Sequence, residues 1–186
     1  SEMCIRDRWN EVKVSDAAKR LEVSTKSASR CFDELEYLNI DVLGMKGKSR
    51  VINIPDDREQ LWQRIENVLR NPVIRRFVLR EDMKLEKKAG ISALCEYSLL
   101  SDNVYPTYAV TKKELKDSGV KVEKQVSELE EIGCVVLELG YFIDFLGKGF
   151  QDPLSVVLSL TGEEQEEERV DISINEMLEE YVWSKD

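Results

Sequence analysis

Apolar positions along the first third of the chain recur at helical spacing. In "VSTKSASRCFDELEYLNI" (23–40), Ala28, Phe32, Leu35 and Leu38 follow one another at steps of four, three and three, which predicts an amphipathic helix running to about Leu38. Ser24 is placed to cap its start and Asn39 to take the left-handed conformation that ends it. Upstream, Val12–Val14 reads as a short extended piece, and Ser15 as the cap of a first helix, "DAAKRLE", with Ala17, Ala18 and Leu21 inward. Val23 closes a tight turn between the two helices. Downstream, two β-type runs, "IDVLGM" and "SRVINI", flank Lys46-Gly47-Lys48, where glycine supplies the positive φ of a tight hairpin. The predicted order is helix, turn, helix, hairpin.

Pro55 ends that unit. "DDREQLWQRIENVLRNP" predicts an amphipathic helix with Leu61, Trp62, Ile65, Val68 and Leu69 on one stripe, capped by Asp56 or Asp57 and stopped by Pro72. Beyond it the signals mix. "VIRRFVLR" reads as a strand, "GISALCEYSLLS" as a mostly buried helix, and "PTYAV" as a strand entering a helix that opens with a Thr111/Glu114 capping box. Val122, Val126, Leu129 and Ile132 predict a helical stripe ended by Gly133. "CVVLELGYFIDFL" reads as one bent strand or two. Asp152-Pro153 opens another helix, with the acid as cap and the proline in the first turn. "EEQEEER" reads as a solvated loop or helix start, and "INEMLEEYVW" as a C-terminal amphipathic helix.

Composition narrows the class. A chain of 186 residues with 42% hydrophobic and 34% charged content suits one large or two small globular domains. No run of 18 apolar residues predicts a membrane helix, and no secretory h-region is visible, so a cytoplasmic location and no membrane partner are expected. The opening octet "SEMCIRDR" lacks an initiator methionine and resembles translated sequencing adapter. The natural protein is therefore expected to extend further upstream. The four cysteines form no CxxC motif, and Cys31 and Cys95, set in apolar helical patterns, are expected to be small buried residues of a reducing compartment. There is no histidine, which removes the usual general base and the commonest zinc ligand. No phosphate-binding glycine motif occurs either. No enzymatic activity, metal or cofactor is expected.

The net charge of −10 argues at first against nucleic acid, but the distribution matters more than the sum. Residues 1–54 hold ten Lys/Arg against nine Asp/Glu, whereas residues 163–186 hold two against ten. In the front part the bases cluster. A second helix with a polar, basic start and an apolar rear, followed by a basic hairpin, is the winged helix-turn-helix pattern, in which that helix enters the DNA major groove. Ser24, Thr25, Lys26, Ser27 and Ser29 would offer hydrogen bonds or charge to phosphates and bases, and Arg30 could meet guanine O6 and N7 bidentately. Lys46, Lys48 and Arg50 would form the wing over 45–51, on the backbone or in the minor groove. Taken singly, a Lys/Arg/Ser helix start is more often a solvated face, and a KGK turn more often just a turn. A winged helix that binds protein instead of DNA is a further alternative.

The segment "VKVSDAAKRLEVSTKSASRCFDELEYLNI" resembles the helix-turn-helix of MarR-like bacterial regulators. With "EQLWQRI", "NPVIRRFVL", "AGISALCEYSLLS", "PTYAV" and "QDPLSVVLSL", residues 9–186 look like MarR-like regulators that carry an added C-terminal domain. The C-terminal part is also similar, more weakly, to antitoxins of the AbiEi type, which repress their own operon and neutralise a nucleotidyltransferase toxin. The resemblance implies a sequence-specific transcriptional regulator of double-stranded DNA, with recognition helix 24–38. The alternative is an antitoxin-like interaction module that neutralises a partner protein and autoregulates its operon. A toxin or a second subunit would then dock on the C-terminal domain. The resemblance carries over no effector ligand, and the usual dimerisation helices are not matched. The expected fold class is α+β, in four parts: 1–8 an artefact or disordered end, 9–54 the winged helix-turn-helix, 55–72 a connector helix, and 73–186 a mixed α/β domain.

Overall fold

The structure, a computed structural model, describes residues 11–120 and 131–184. It is an α+β fold with two small sheets, and the chain divides into two units between Val68 and Leu69.

In the first unit, strand β1 (Glu11–Lys13) leads straight into helix α1 (Val14–Arg20). Ser15 is not the cap: Lys13 keeps the extended geometry of the strand's last residue, so the helix begins one residue ahead of the serine and has no side-chain cap. Helix α2 (Thr25–Tyr37) starts as the sequence indicates, with Ser24 Oγ accepting from Ser27 N. Asn39 ends it with φ of 54°. Strands β2 (Leu43–Lys46) and β3 (Ser49–Asn53) form the hairpin, Lys46 facing Ser49 across a turn in which Gly47 has φ of 63°. The sheet order is β1-β3-β2, antiparallel throughout. Ala18, Ala28, Phe32, Val42 and Val51 are the buried residues beneath it.

Two expectations about α2 fail. Cys31 is exposed, because the Ala28–Phe32 pair, four residues apart, fixes the inward stripe and leaves Cys31 on its flank. Leu38 lies past the last helical residue and is also exposed. Helix α3 (Arg58–Ile65), capped by Asp57, continues as a 3-10 turn over Glu66–Val68. Trp62 carries its burial, whereas Val68, expected on the same stripe, is exposed.

The second unit is built on a three-stranded sheet of order β4-β6-β5. Strand β4 (Val73–Leu79) runs antiparallel to β6 (Cys134–Leu139), and β5 (Thr107–Val110) runs parallel to β6. All six residues of β6 are buried, as a central strand covered on both faces requires. Phe77, Tyr108, Val110, Cys134 and Val136 form one apolar cluster, and Ala89, Ala109, Val135, Leu137 and Leu139 another. Glu138 is the charged member of β6. It lies opposite Arg75 of β4, whose Nε donates to its Oε2 at 2.6 Å.

Helices cover both faces of this sheet: α4 (Gly90–Tyr97), α5 (Lys112–Asp117), which packs through Leu115 on the face of Val136, α6 (Pro153–Ser159), α7 (Gly162–Glu166) and α8 (Glu168–Leu178). Leu94, Val156 and Met177, all fully buried, are the centre where α4, α6 and α8 meet. The Thr111/Glu114 capping box and the Asp152 cap are present, and a second box, Thr161/Glu164, opens α7. "EEQEEER" thus spans two helices. The last helix starts at Glu168 and widens into a π turn over Glu179–Trp183.

The strand expected over 134–146 stops at Leu139, and the loop that follows makes isolated bridges, Asp144↔Gln151 and Lys88↔Phe150. The stripe through Val122, Val126 and Leu129 lies outside the described residues, as does the opening octet. Ile132 and Gly133 are not helical. Gly133 is required for close approach instead: a Cβ there would stand 2.4 Å from the carbonyl oxygen of Arg80.

Candidate nucleic-acid interface

The basic start of α2 and the β2–β3 hairpin hold all nine residues singled out in the sequence. Thr25, Lys26 and Arg30 of α2 and Lys48 at the hairpin tip are exposed. Lys26, Arg30 and Lys48 carry no ion pair among the described residues. Lys26 and Arg30 stand four apart and so lie one above the other on the same helix face. Ser24 and Ser27 satisfy each other: Ser27 N donates to Ser24 Oγ at 3.1 Å, and the two hydroxyls are 2.9 Å apart. Their first role is to close the helix end.

The remaining three are engaged inside the unit. Lys46 Nζ donates to Glu11 Oε1 at 2.7 Å, and this hydrogen bond, then the carboxylate's charge, raises the lysine above its usual pKa. The Arg50 guanidinium is half-buried and points back at α2. Its Nη1 meets Asp33 Oδ1 at 2.5 Å, and its Nη2 donates to Ser29 Oγ at 2.8 Å. Glu36 Oε2 is 3.8 Å from Nη1, and Cζ lies 5.8 Å from the centroid of the Phe32 ring.

Sequence reading missed Glu11, Asp33 and Glu36 as partners of these cations. The spacing 29, 32, 33, 36 was the available signal, since it defines a single helix face. What it lacks is the register that brings β3 against that face.

The second unit offers a different kind of concavity. A cavity of about 210 Å3 is lined mainly by apolar side chains, among them Phe77, Leu79, Leu85, Leu115 and Val136. Two of its polar members, Lys87 and Glu114, pair with each other at 2.6 Å, and Glu114 also accepts from Thr111 N in the capping box. Elsewhere in this unit, Asp152 caps α6 with Oδ2, while among the described residues its buried Oδ1 has no hydrogen-bond partner, and burial raises its pKa. Among the described residues no cluster of His, Cys, Asp or Glu is arranged to hold a metal, and no helix is long and apolar enough to cross a membrane.

No protein-family model, curated protein or solved structure matches the chain.

Proposed function

We propose that the chain is a sequence-specific DNA-binding transcriptional regulator. Its first unit acts as a winged helix-turn-helix, with helix 24–38 in the major groove and the 45–51 hairpin on the backbone or in the minor groove. The observation that carries this reading is the order strand, helix, turn, helix, hairpin closed on one sheet, with Lys26, Arg30 and Lys48 exposed and unpaired among the described residues. Small hydroxyl residues around Lys26 leave the helix start slim, as entry into a groove about 12 Å wide favours.

The test is a fluorescence-anisotropy titration of the full chain with a labelled duplex across a salt series. Binding through the cations that remain unpaired should fall steeply with salt, log K against log [salt] having a slope of about −0.9 per phosphate contacted. Absence of duplex binding at low salt rejects the reading.

A second reading has its own support. Residues 162–184 carry nine acidic side chains and one arginine; α8 exposes Asp171, Ile172 and Glu176, and the π turn that follows it exposes Glu179 and Glu180. Such a face repels phosphate and suits a basic protein partner, as an antitoxin-like module would need. Co-purification with a co-expressed partner, insensitive to nuclease treatment, distinguishes this role from shared DNA.

A further inference from the structure

We infer that Arg50 is a positioning residue that ties the hairpin to the reading helix, and that Lys48, not Arg50, is the hairpin's phosphate contact. This inference rests on the DNA-binding reading above. Ser29, Phe32, Asp33 and Glu36 recur at positions i, i+3, i+4 and i+7 of one helix, and all four surround the Arg50 guanidinium. Both terminal nitrogens are engaged: Nη1 with Asp33 and Nη2 with Ser29, with the Ser29 carbonyl also 3.4 Å from Nη2. An arginine that reads phosphate presents its guanidinium fork outward. This one presents it to helix α2 of the same unit.

Arg50 lies opposite Met45, one residue before the Lys46↔Ser49 pair that closes the turn. A bracket at that point fixes where the hairpin tip stands relative to the basic start of α2. Two-point attachment fixes an angle as well as a distance, which one lysine ammonium cannot do. Ser29 belongs to the same bracket and is withdrawn from the list of groups offered to DNA. Lys48, two residues toward the tip, is exposed and unpaired among the described residues.

The two roles of Arg50 predict opposite signs at Asp33. If Arg50 contacts phosphate, Asp33 competes for it, and Asp33→Ala should tighten binding by freeing the guanidinium and removing a negative charge from the helix. If Arg50 is a bracket, Asp33→Ala should weaken binding, against the electrostatic trend. Arg50→Lys separates them again, since it keeps the charge and loses the second attachment.

The experiment titrates the full chain, as wild type, Asp33→Ala, Arg50→Lys and Lys48→Ala, against a labelled mixed-sequence 40-base-pair duplex from about 50 to 200 mM salt, the range over which phosphate contacts register. Asp33→Ala and Arg50→Lys are expected to lose about fivefold in affinity, the order of one ordinary hydrogen bond, since the Asp33 carboxylate is largely exposed. Their salt slope should equal that of wild type. Lys48→Ala is expected to reduce the slope by about 0.9. Asp33 is 62% exposed, so its alanine variant should fold, and a thermal melt of each variant confirms it. Amide hydrogen exchange at Gly47–Ser49 should quicken in both bracket variants. Tighter binding by Asp33→Ala, wild-type affinity in Arg50→Lys, or an unchanged slope in Lys48→Ala overturns the inference. Wild type that leaves the duplex free at low salt overturns the DNA reading itself.

Discussion

Phe32→Ala tests the phasing of helix α2 without any DNA. Phe32 is 1% exposed, the most deeply buried large side chain of the first unit, and its ring also lies beneath the Arg50 guanidinium. Truncating a buried Phe to alanine costs about 3–5 kcal/mol through lost transfer energy and the cavity left behind. Loss of the cation's aromatic neighbour adds about 0.5–1 kcal/mol. A unit of about 60 residues has a total stability of only about 3–9 kcal/mol at the usual 0.05–0.15 kcal/mol per residue. The substitution therefore consumes most of the first unit's stability and leaves the second untouched.

Urea unfolding of the full chain should show this as two separated transitions. Trp62 reports on the first unit and Trp183 on the second, with far-UV circular dichroism following both. The first transition should move to very low urea while the second keeps its midpoint. Phe32→Leu, which leaves a smaller void, should fall between. A shift below about 1 kcal/mol in Phe32→Ala, the scale of an ordinary surface change, would refute the packing argument. It would also remove the basis for placing Lys26 and Arg30 on the outer face.

Arg30→Ala should lower affinity for a cognate operator by about 1–3 kcal/mol and relax preference at one base position, with little effect on stability; unchanged operator binding excludes it as a base reader. Changing Lys46, Lys48 and Arg50 together to alanine should weaken binding to all sequences alike, and the slope should fall by nearer one unit than three, because Glu11 and Asp33 already hold two of these cations. Gly133→Ala should destabilise the second unit by at least about 2 kcal/mol, since a Cβ there meets Arg80 backbone at 2.4 Å; a melt like wild type would contradict that contact. Asp152→Asn tests a buried charge. Burial raises Asp152's pKa in the folded state above the ordinary 3.8, so the folded state binds a proton more readily than the unfolded chain, and wild type gains stability as pH falls from the raised value toward 3.8. The asparagine variant lacks that gain, and parallel melting-temperature profiles for the two proteins would exclude it.

Signals that act within a few residues were legible in the sequence. Ser24, Asn39, Gly47, the Thr111/Glu114 box and Asp152-Pro153 all punctuate the chain where local hydrogen bonding and φ preference place them. Ser15 misled because a strand ran directly into its helix, so no free helix end waited for its hydroxyl. Cys31 misled because a one-residue rotation on a helix separates flank from core, and apolar spacing alone does not resolve it. The pairing of Glu138 with Arg75 spans 63 positions, and that of Arg50 with Asp33 spans 17 across two elements. Such contacts depend on strand register, which no local window contains. The local sequence therefore placed the nine candidate residues on one helix start and one hairpin, but not the pairing of Lys46 with Glu11 or of Arg50 with Asp33.

The strand order of the second unit has a consequence during synthesis. Both edge strands, β4 and β5, leave the ribosome before the central strand β6 that must pair with each of them. Leu79 waits about 55 positions for Cys134, which at about 5–20 residues per second is roughly 3–11 s. Through that interval the apolar side chains of β4 and β5 have no sheet partner, and their open edges are free to pair with other nascent chains. In the first unit β1 also waits for its central strand, Lys13 for Val51 about 38 positions later, roughly 2–8 s, but β1 is only three residues long and exposes little edge. The second unit should therefore depend on chaperones that shield unpaired strands, and slowing translation between Val110 and Cys134 should increase its aggregation.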